Sequence, residues 1–372
     1  MNKVKLGEIL KIKHGFAFKS ENYVDESEYA LVTLANISST NNFQFNKDKT
    51  TFYGASFPDD FILKEDDLIM PLTEQVIGLF GNTAFVPEMQ GITFVLNQRV
   101  GKVVPIDDKA DKYYLHYLLA TNLVKDQLEY RASGTRQRNI SPDDVYDVEV
   151  FLPDITTQRK IGKCLYDIEK KVNLNNAIND NLLQQLMSLV YENMMSLAYS
   201  NQIEGSFTTA DKLTEVITGR EDANFSSSNG KYKFFTCSNT PLKCDEYAFE
   251  SSSILIAGNG DFNVKHYSGK FNAYQRTYVL TPAEEYYGLL YLSSLYRINS
   301  FKTSSAGSIV KFITKGDIEN IPIFIPKDKK YLSYFNELVL TQEHILSEND
   351  ELTNLRDWLL PMLMNGQATI EN

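Results

Sequence analysis

The chain has 372 residues, 43% hydrophobic and 23% charged, which allows two or three domains, each large enough for its own core. No run of 18 apolar residues suggests a membrane span, and residues 1–13 lack the apolar stretch of a signal peptide. The net charge of −11 argues against indiscriminate coating of nucleic acid. Cys164, Cys237 and Cys244 have neither CxxC spacing nor nearby His pairs, which speaks against a zinc site or a disulfide framework and fits a reducing cytoplasm.

In chain order the expectation is an α+β domain over residues 1–155, a spacer helix over 156–200, a second α+β domain over 201–328 and a C-terminal spacer helix over 329–372. In the first domain, Val/Ile/Phe/Tyr-rich runs at 29–34, 68–70, 92–96 and 99–104 alternate with turn residues and predict strands. A helix follows over 112–130, with Leu115, Leu118, Leu119 and Leu123 on one face, and its counterpart in the second domain spans 284–301.

The two globular halves read as diverged copies. Lys5-Leu6-Gly7-Glu8-Ile9 resembles Lys212-Leu213-Thr214-Glu215-Val216, and Gly15 and Gly219 follow. Leu68-Ile69-Met70 matches Ile254-Leu255-Ile256, and Asn97-Gln98-Arg99-Val100 matches Tyr274-Gln275-Arg276-Thr277. Ser133-Gly134 through Pro153 matches Ala306-Gly307 through Pro326. The order is kept while the offset falls from 207 (Lys5 to Lys212) to 170 (Ile168 to Leu338), so the second copy has lost loop length.

Each copy is followed by a heptad pattern. In the first helix Ile161, Leu165, Ile168, Val172, Leu182, Leu186 and Leu189 keep a 4–3 spacing, with Asn175 and Asn179 at two central seam positions. Nothing after Gly162 breaks it, and about 40 residues at 1.5 Å each give about 60 Å, too long for one globular core. The C-terminal helix repeats Leu338, Ile345, Leu352 and Leu359, and Asn349 shares the phase of Asn179. The expectation is two long antiparallel helices forming a coiled coil whose polar seam residues select register; two unrelated amphipathic helices are the alternative.

Enzyme signatures are missing. There is no phosphate loop, HExxH, GxSxG or methyltransferase tetrad, and His14, His116, His266 and His344 are scattered without metal-ligand spacing. Pro58-Asp59 with Asp107-Asp108-Lys109 fits a metal-dependent nuclease only loosely. What remains is binding chemistry. Arg131, Arg136, Gln137, Arg138 and Asn139 form the densest cationic and amide-bearing loop, and these side-chain types can read guanine or adenine edges and hold phosphates. The matching loop of the second copy carries Lys302 and Lys311. A second pair of loops follows the Leu68–Met70 run, with Thr73 and Gln75, and the Ile254–Ile256 run, with Asn259, Asp261, Lys265 and His266. Arg220 joins the candidate set beside the Gly219 turn. No catalytic or metal-ligating residue is assigned.

With the KLGEI and KLTEV openings, the NQR and YQR steps and the SGTRQRNI segment, the chain resembles the specificity (S) subunits of type I restriction–modification systems over nearly its full length. VFLPDITTQRKIGKCL resembles the family's entry into its central helix, and LRDWLLPMLMNG its ending. The second copy departs at its helix entry, Pro326-Lys327-Asp328-Lys329-Lys330-Tyr331, and its basic loop has no Arg. The resemblance implies a non-catalytic, cytoplasmic reader of double-stranded DNA without a membrane role, each globular half recognising one half of a bipartite target. The helix pair would set the spacing and dock two methyltransferase (M) subunits, with two restriction (R) subunits in the full complex. No cofactor is expected on this chain; S-adenosylmethionine, ATP and Mg are expected on the partners. Rival readings are a coiled-coil adaptor without a DNA role and the recognition chain of a type II-like nuclease–methylase.

Overall fold

Val, Ile, Phe and Tyr in alternation build pleated strands, and in both halves these cluster around the same three-strand frame. The structure, a computed structural model, describes residues 2–75, 77–134, 137–260, 262–304 and 312–370, with side chains outside 301–304. Its contacts divide into two compact units, one formed by residues 1–171 with 352–372, the other by 172–351, so each long helix contributes to both.

In the first unit Leu10–His14, Val100–Pro105, Leu68–Pro71 and Ala84–Phe85 form an antiparallel sheet in that order. A second sheet orders Tyr23–Val24, Phe52–Tyr53, Tyr29–Val32 and Thr93–Leu96, the last pair parallel. Asn2–Lys5 pairs antiparallel with Glu149–Leu152, tying the start of the domain to the strand that leads into the central helix. In the second unit Val216–Thr218, Thr277–Leu280 and Phe249–Ala257 repeat the first three-strand frame, and the sheet continues through Val264–Ala273, Tyr232–Phe235 and Leu242–Cys244. Gly205–Thr209 pairs with Pro322–Pro326 as the first ribbon does. The two copies therefore share a frame and differ in the strands added to it.

Gly15 and Gly219 show why the duplication is visible in sequence. A Cβ on Gly15 would lie 2.1 Å from the Asn97 carbonyl oxygen, and one on Gly219 would lie 2.1 Å from that of Ala273, so both positions demand glycine for backbone approach. The partners stand at the NQR and YQR steps, where Phe16 bridges Asn97 and Glu221 bridges Tyr274.

The helix expected over 112–130 is two helices, Lys112–Leu119 and Asn122–Arg131. Thr121 is extended (ψ 149°) and its hydroxyl donates to Leu118 O at 2.7 Å, competing with continued helix; the turn leaves Leu123 exposed rather than in the core with Leu115, Leu118 and Leu119. The central helix runs Ile155–Gln185, passes through a π-helical segment, Leu186–Tyr191, and resumes as Glu192–Tyr199. The wider π turn slips the heptad phase, so Leu186 and Tyr191 are buried while Leu189, expected in the seam, is 68% exposed.

Ile161 and Leu165 are buried in the core of the first unit with Leu363, and Leu359 packs against that core. On the C-terminal helix, Lys330–Met364, the deeply buried residues are Leu332, Phe335, Val339, Gln342, Asn349, Leu363 and Met364. Leu338, Ile345, Leu352 and Leu359 flank that stripe half-buried, as do Ile168, Val172 and Leu182 on the central helix. Asn349, expected in the seam, is buried there on one line with Phe335 and Gln342, while the second buried line passes through Leu332 and Val339, one position on from the expected Leu338. Within the second unit the two helices run antiparallel: Asn175 Nδ2 donates to Asn349 Oδ1 at 2.8 Å, Asn349 Nδ2 to Asn176 Oδ1 at 2.9 Å, and Gln342 Nε2 to Asn179 O at 3.2 Å. Both Asn179 side-chain polar atoms are buried without a hydrogen-bond partner.

Each unit ties its globular part to a long helix through a Glu, buried in the first unit and half-buried in the second, with a Tyr and a His. In the first, Tyr117 Oη donates to Glu169 at 2.9 Å, with His116 Nε2 3.5 Å from the same carboxylate and His116 Nδ1 2.7 Å from Thr83 Oγ1. In the second, Tyr287 Oη donates to Glu343 at 2.8 Å, and His266 Nδ1 lies 3.1 Å from it. Burial pushes up the Tyr287 phenol. Burial also penalises the Glu343 carboxylate, but hydrogen bonds from His266 and Tyr287 outweigh it and hold the group below its usual value.

Candidate nucleic-acid interface

The two candidate loops of the first copy meet. Arg138–Asn139 forms a short strand antiparallel to Thr73–Glu74, with Arg138 opposite Glu74 and Asn139 opposite Thr73. Ile140 N donates to Leu72 O at 3.0 Å, and Ser133 and Asn139 exchange backbone bonds of 3.0 and 2.9 Å that close the intervening loop. Gly134 sits at φ +105° with its missing Cβ directed at Gln137 O, so the Ser-Gly of this loop is a backbone requirement. Ser141 and Asp144 then form a capping box that starts a short helix, Pro142–Tyr146.

The second copy repeats the junction. Ile313 N donates to Gly258 O at 2.8 Å, and Asn259 bridges Phe312. Thr314 and Asp317 form the matching capping box before Lys315–Glu319. In both copies, therefore, the loop after the third strand of the frame, Leu68–Pro71 or Phe249–Ala257, is hydrogen-bonded to the segment that follows the basic loop. Their 66-residue and 53-residue separations (Thr73 to Asn139, Asn259 to Phe312) hide this from any local pattern.

Several candidate readers turn out to hold the fold. Arg138 pairs with Glu74 at 2.9 Å and with Glu129, and its guanidinium lies 5.6 Å from the centre of the Phe80 ring. Glu74 is buried and accepts from Leu79 N at 2.9 Å and Phe80 N at 3.2 Å. Arg131 donates to Gln127 O at 3.0 Å and Asp147 O at 3.2 Å, closing its own helix C-terminus. Thr73 is buried and donates through Oγ1 to Asn139 Oδ1 at 2.9 Å. Expected as a loop reader, Arg138 is drawn inward because the carboxylate enclosed at Glu74 demands a cation, while Arg131 and Thr73 are engaged by acceptors of the fold, the Gln127 and Asp147 carbonyls and the Asn139 amide oxygen.

In the second copy Lys265 and His266 are not loop residues but lie in the strand Val264–Ala273. His266 faces Glu343, as described above. Lys265 donates to Thr236 O at 3.3 Å and to Asn263 Oδ1, and burial pulls its ammonium down to about 8. Gln75, Asn139 and Arg220 are exposed, while Gln137 and Asn259 are half-buried. Arg136 and Asp261, and the side chains of Lys302 and Lys311, lie outside the described residues. Sequence reading missed Glu74, Glu129 and Phe80, whose roles are set by partners remote in the chain.

Among the described residues no group of three or more His, Cys, Asp or Glu is arranged to hold a metal ion, and no helix is long and apolar enough to cross a membrane. What the described residues present instead is a duplicated α+β frame with twin loop junctions and two long helices. The chain belongs to the family of the type I restriction modification DNA specificity domain, whose profile matches residues 1–184 and 211–354.

The specificity subunit of the type I restriction enzyme EcoDI from Escherichia coli is 34% identical over 167 residues, 43% of this chain and 38% of that protein. The MjaVIII specificity subunit from Methanocaldococcus jannaschii is 25% identical over 179 residues, 46% of this chain and 40% of that one. The matches thus span about two-fifths of these curated relatives. In fold, the chain is similar to the type I restriction-modification S subunit from M. genitalium, with a TM-score of 0.60 at 17% identity, covering 98% of this chain and 96% of that one.

Proposed function

We propose that this chain is the non-catalytic, sequence-specific DNA-binding subunit of a type I restriction–modification complex. Each globular copy reads one half of a bipartite site in double-stranded DNA; the paired helices set the distance between halves and dock two methyltransferase subunits. Two restriction subunits join in the full complex, and S-adenosylmethionine, ATP and Mg belong to those partners. The observation that carries this reading is the loop junction built twice, Leu72 to Ile140 and Gly258 to Ile313, in a member of the specificity-domain family. One frame with different residues at its junctions suits two readers of different half-sites. Phosphate contacts position such a reader and base contacts specify, so an acidic chain suits binding in which partners supply further phosphate contacts.

The test is a long-read methylation map of the source cell with and without this gene. Loss of one split, adenine-methylated motif on deletion is the expected result. An unchanged map, together with no co-purifying methyltransferase subunit, would overturn the proposal.

A further inference from the structure

Tyr130 (89% exposed) and Ile77 (76%) are the most exposed large hydrophobic residues described in the chain. Single exposed apolar side chains are ordinary on protein surfaces, but these two are held on adjoining tips. Gly78 N, next to Ile77, donates to Glu129 Oε1 at 3.2 Å, and Glu129, next to Tyr130, pairs with Arg138. The turn carrying Ile77 is closed from beneath by Glu74, which binds the Leu79 and Phe80 amides. Both side chains are thus displayed on backbone already ordered, which lowers the entropy cost of a contact.

The second copy does the same with another residue. Phe312 is 61% exposed and bridges Asn259, at the position that repeats Asn139. Each junction therefore offers an apolar side chain beside an amide: Gln75 and Asn139 in the first, Asn259 in the second. Amides are suited to adenine N6 and N7, and apolar groups to the thymine C5-methyl across the same pair, so the combination matches the major-groove face of A·T pairs.

We infer that Ile77 with Tyr130 in the first copy, and Phe312 in the second, make apolar contacts with thymine methyl groups, each in the half-site its own copy reads. This rests on the DNA-reading function proposed above. The occupant is DNA rather than another protein because the exposed residues are continuous with both loop junctions, and in each copy an apolar side chain stands beside an amide there.

The experiment uses the full chain assembled with its methyltransferase subunits and duplexes carrying the motif from the methylation map. In one set, deoxyuridine replaces every thymine of a single half-site, which removes methyl groups and leaves base pairing. The wild-type complex is expected to bind each such duplex about tenfold more weakly. Ile77→Ala with Tyr130→Ala should abolish the sensitivity of one half-site and Phe312→Ala that of the other, with melting temperatures unchanged because all three side chains are exposed. Wild-type binding indifferent to deoxyuridine in both halves would overturn the inference, whatever the variants do, and so would variants that bind as tightly as wild type and stay sensitive to deoxyuridine. A wild-type complex that binds no split-site duplex would instead overturn the DNA-reading function itself, a failure visible before any substitution is made.

Discussion

Arg138 illustrates how a residue type suited to DNA can be committed to the fold. Its guanidinium neutralises Glu74, whose side chain is fully enclosed, so Arg138→Ala leaves a buried carboxylate without its cation. The expected loss is about 3–5 kcal/mol in denaturant unfolding, with much of it recovered when Glu74→Gln is added. A binding defect in Arg138→Ala would report the junction's collapse, so Gln75 and Asn139 are the better probes of base contact. Glu343 sets a pH dependence of the same origin. Its folded pKa is depressed, so its contribution is complete above the usual carboxylate value and is lost as pH falls through the folded pKa. Tyr287 acts at the other end. Its folded pKa is raised, so its contribution is complete below about 10 and is lost at higher pH. Thermal unfolding across pH should show Glu343→Gln flattening the acid limb and Tyr287→Phe flattening the alkaline limb.

At the scale of elements, the helix pair is held by a seam that is polar in the middle. Asn175, Asn179, Gln342 and Asn349 are buried where a simple coiled coil would place Leu or Ile. Paired amides contribute little net stability, but an unpaired one costs its desolvation. Asn349→Leu alone should therefore destabilise by about 1 kcal/mol, because the buried Asn175 amide loses its Asn349 Oδ1 acceptor and keeps only Glu348. Asn175→Leu with Asn349→Leu should recover that loss while relaxing register, which cysteine cross-linking across the pair would detect as more than one alignment. The π segment at Leu186–Tyr191 also has a packing consequence. It rotates the end of the helix so that Tyr191, Met194 and Met195 enter the core of the second unit in place of Leu189.

At the scale of the whole molecule, the proposed function separates reading from spacing. On that proposal, reading belongs to the loop junctions of each globular copy and spacing to helix length. Deleting seven matched residues from both long helices removes about 10.5 Å of rise, or about three base pairs at 3.4 Å each. The methylation map of such a variant should keep both half-site sequences and shorten the gap between them by about that amount. A changed half-site would mean that the helices take part in base recognition.

The sequence by itself determined the duplicated α+β plan, the two long helices and the family. Those rest on constraints local in the chain: glycines where backbones touch, alternating strands and heptads. Gly15 and Gly219 were legible because no other residue fits against Asn97 and Ala273. On the C-terminal helix Asn349 was legible as a seam residue from the phase it shares with Asn179, whereas Gln342, polar in sequence, becomes interior because it donates to the Asn179 carbonyl. Only the tertiary structure decided that Arg131, Arg138, Thr73, Lys265 and His266 face inward and that Ile77, Tyr130 and Phe312 face outward. The energy of burying a charge or exposing an apolar ring is set by partners tens of residues away, and composition carries no record of which partners those are.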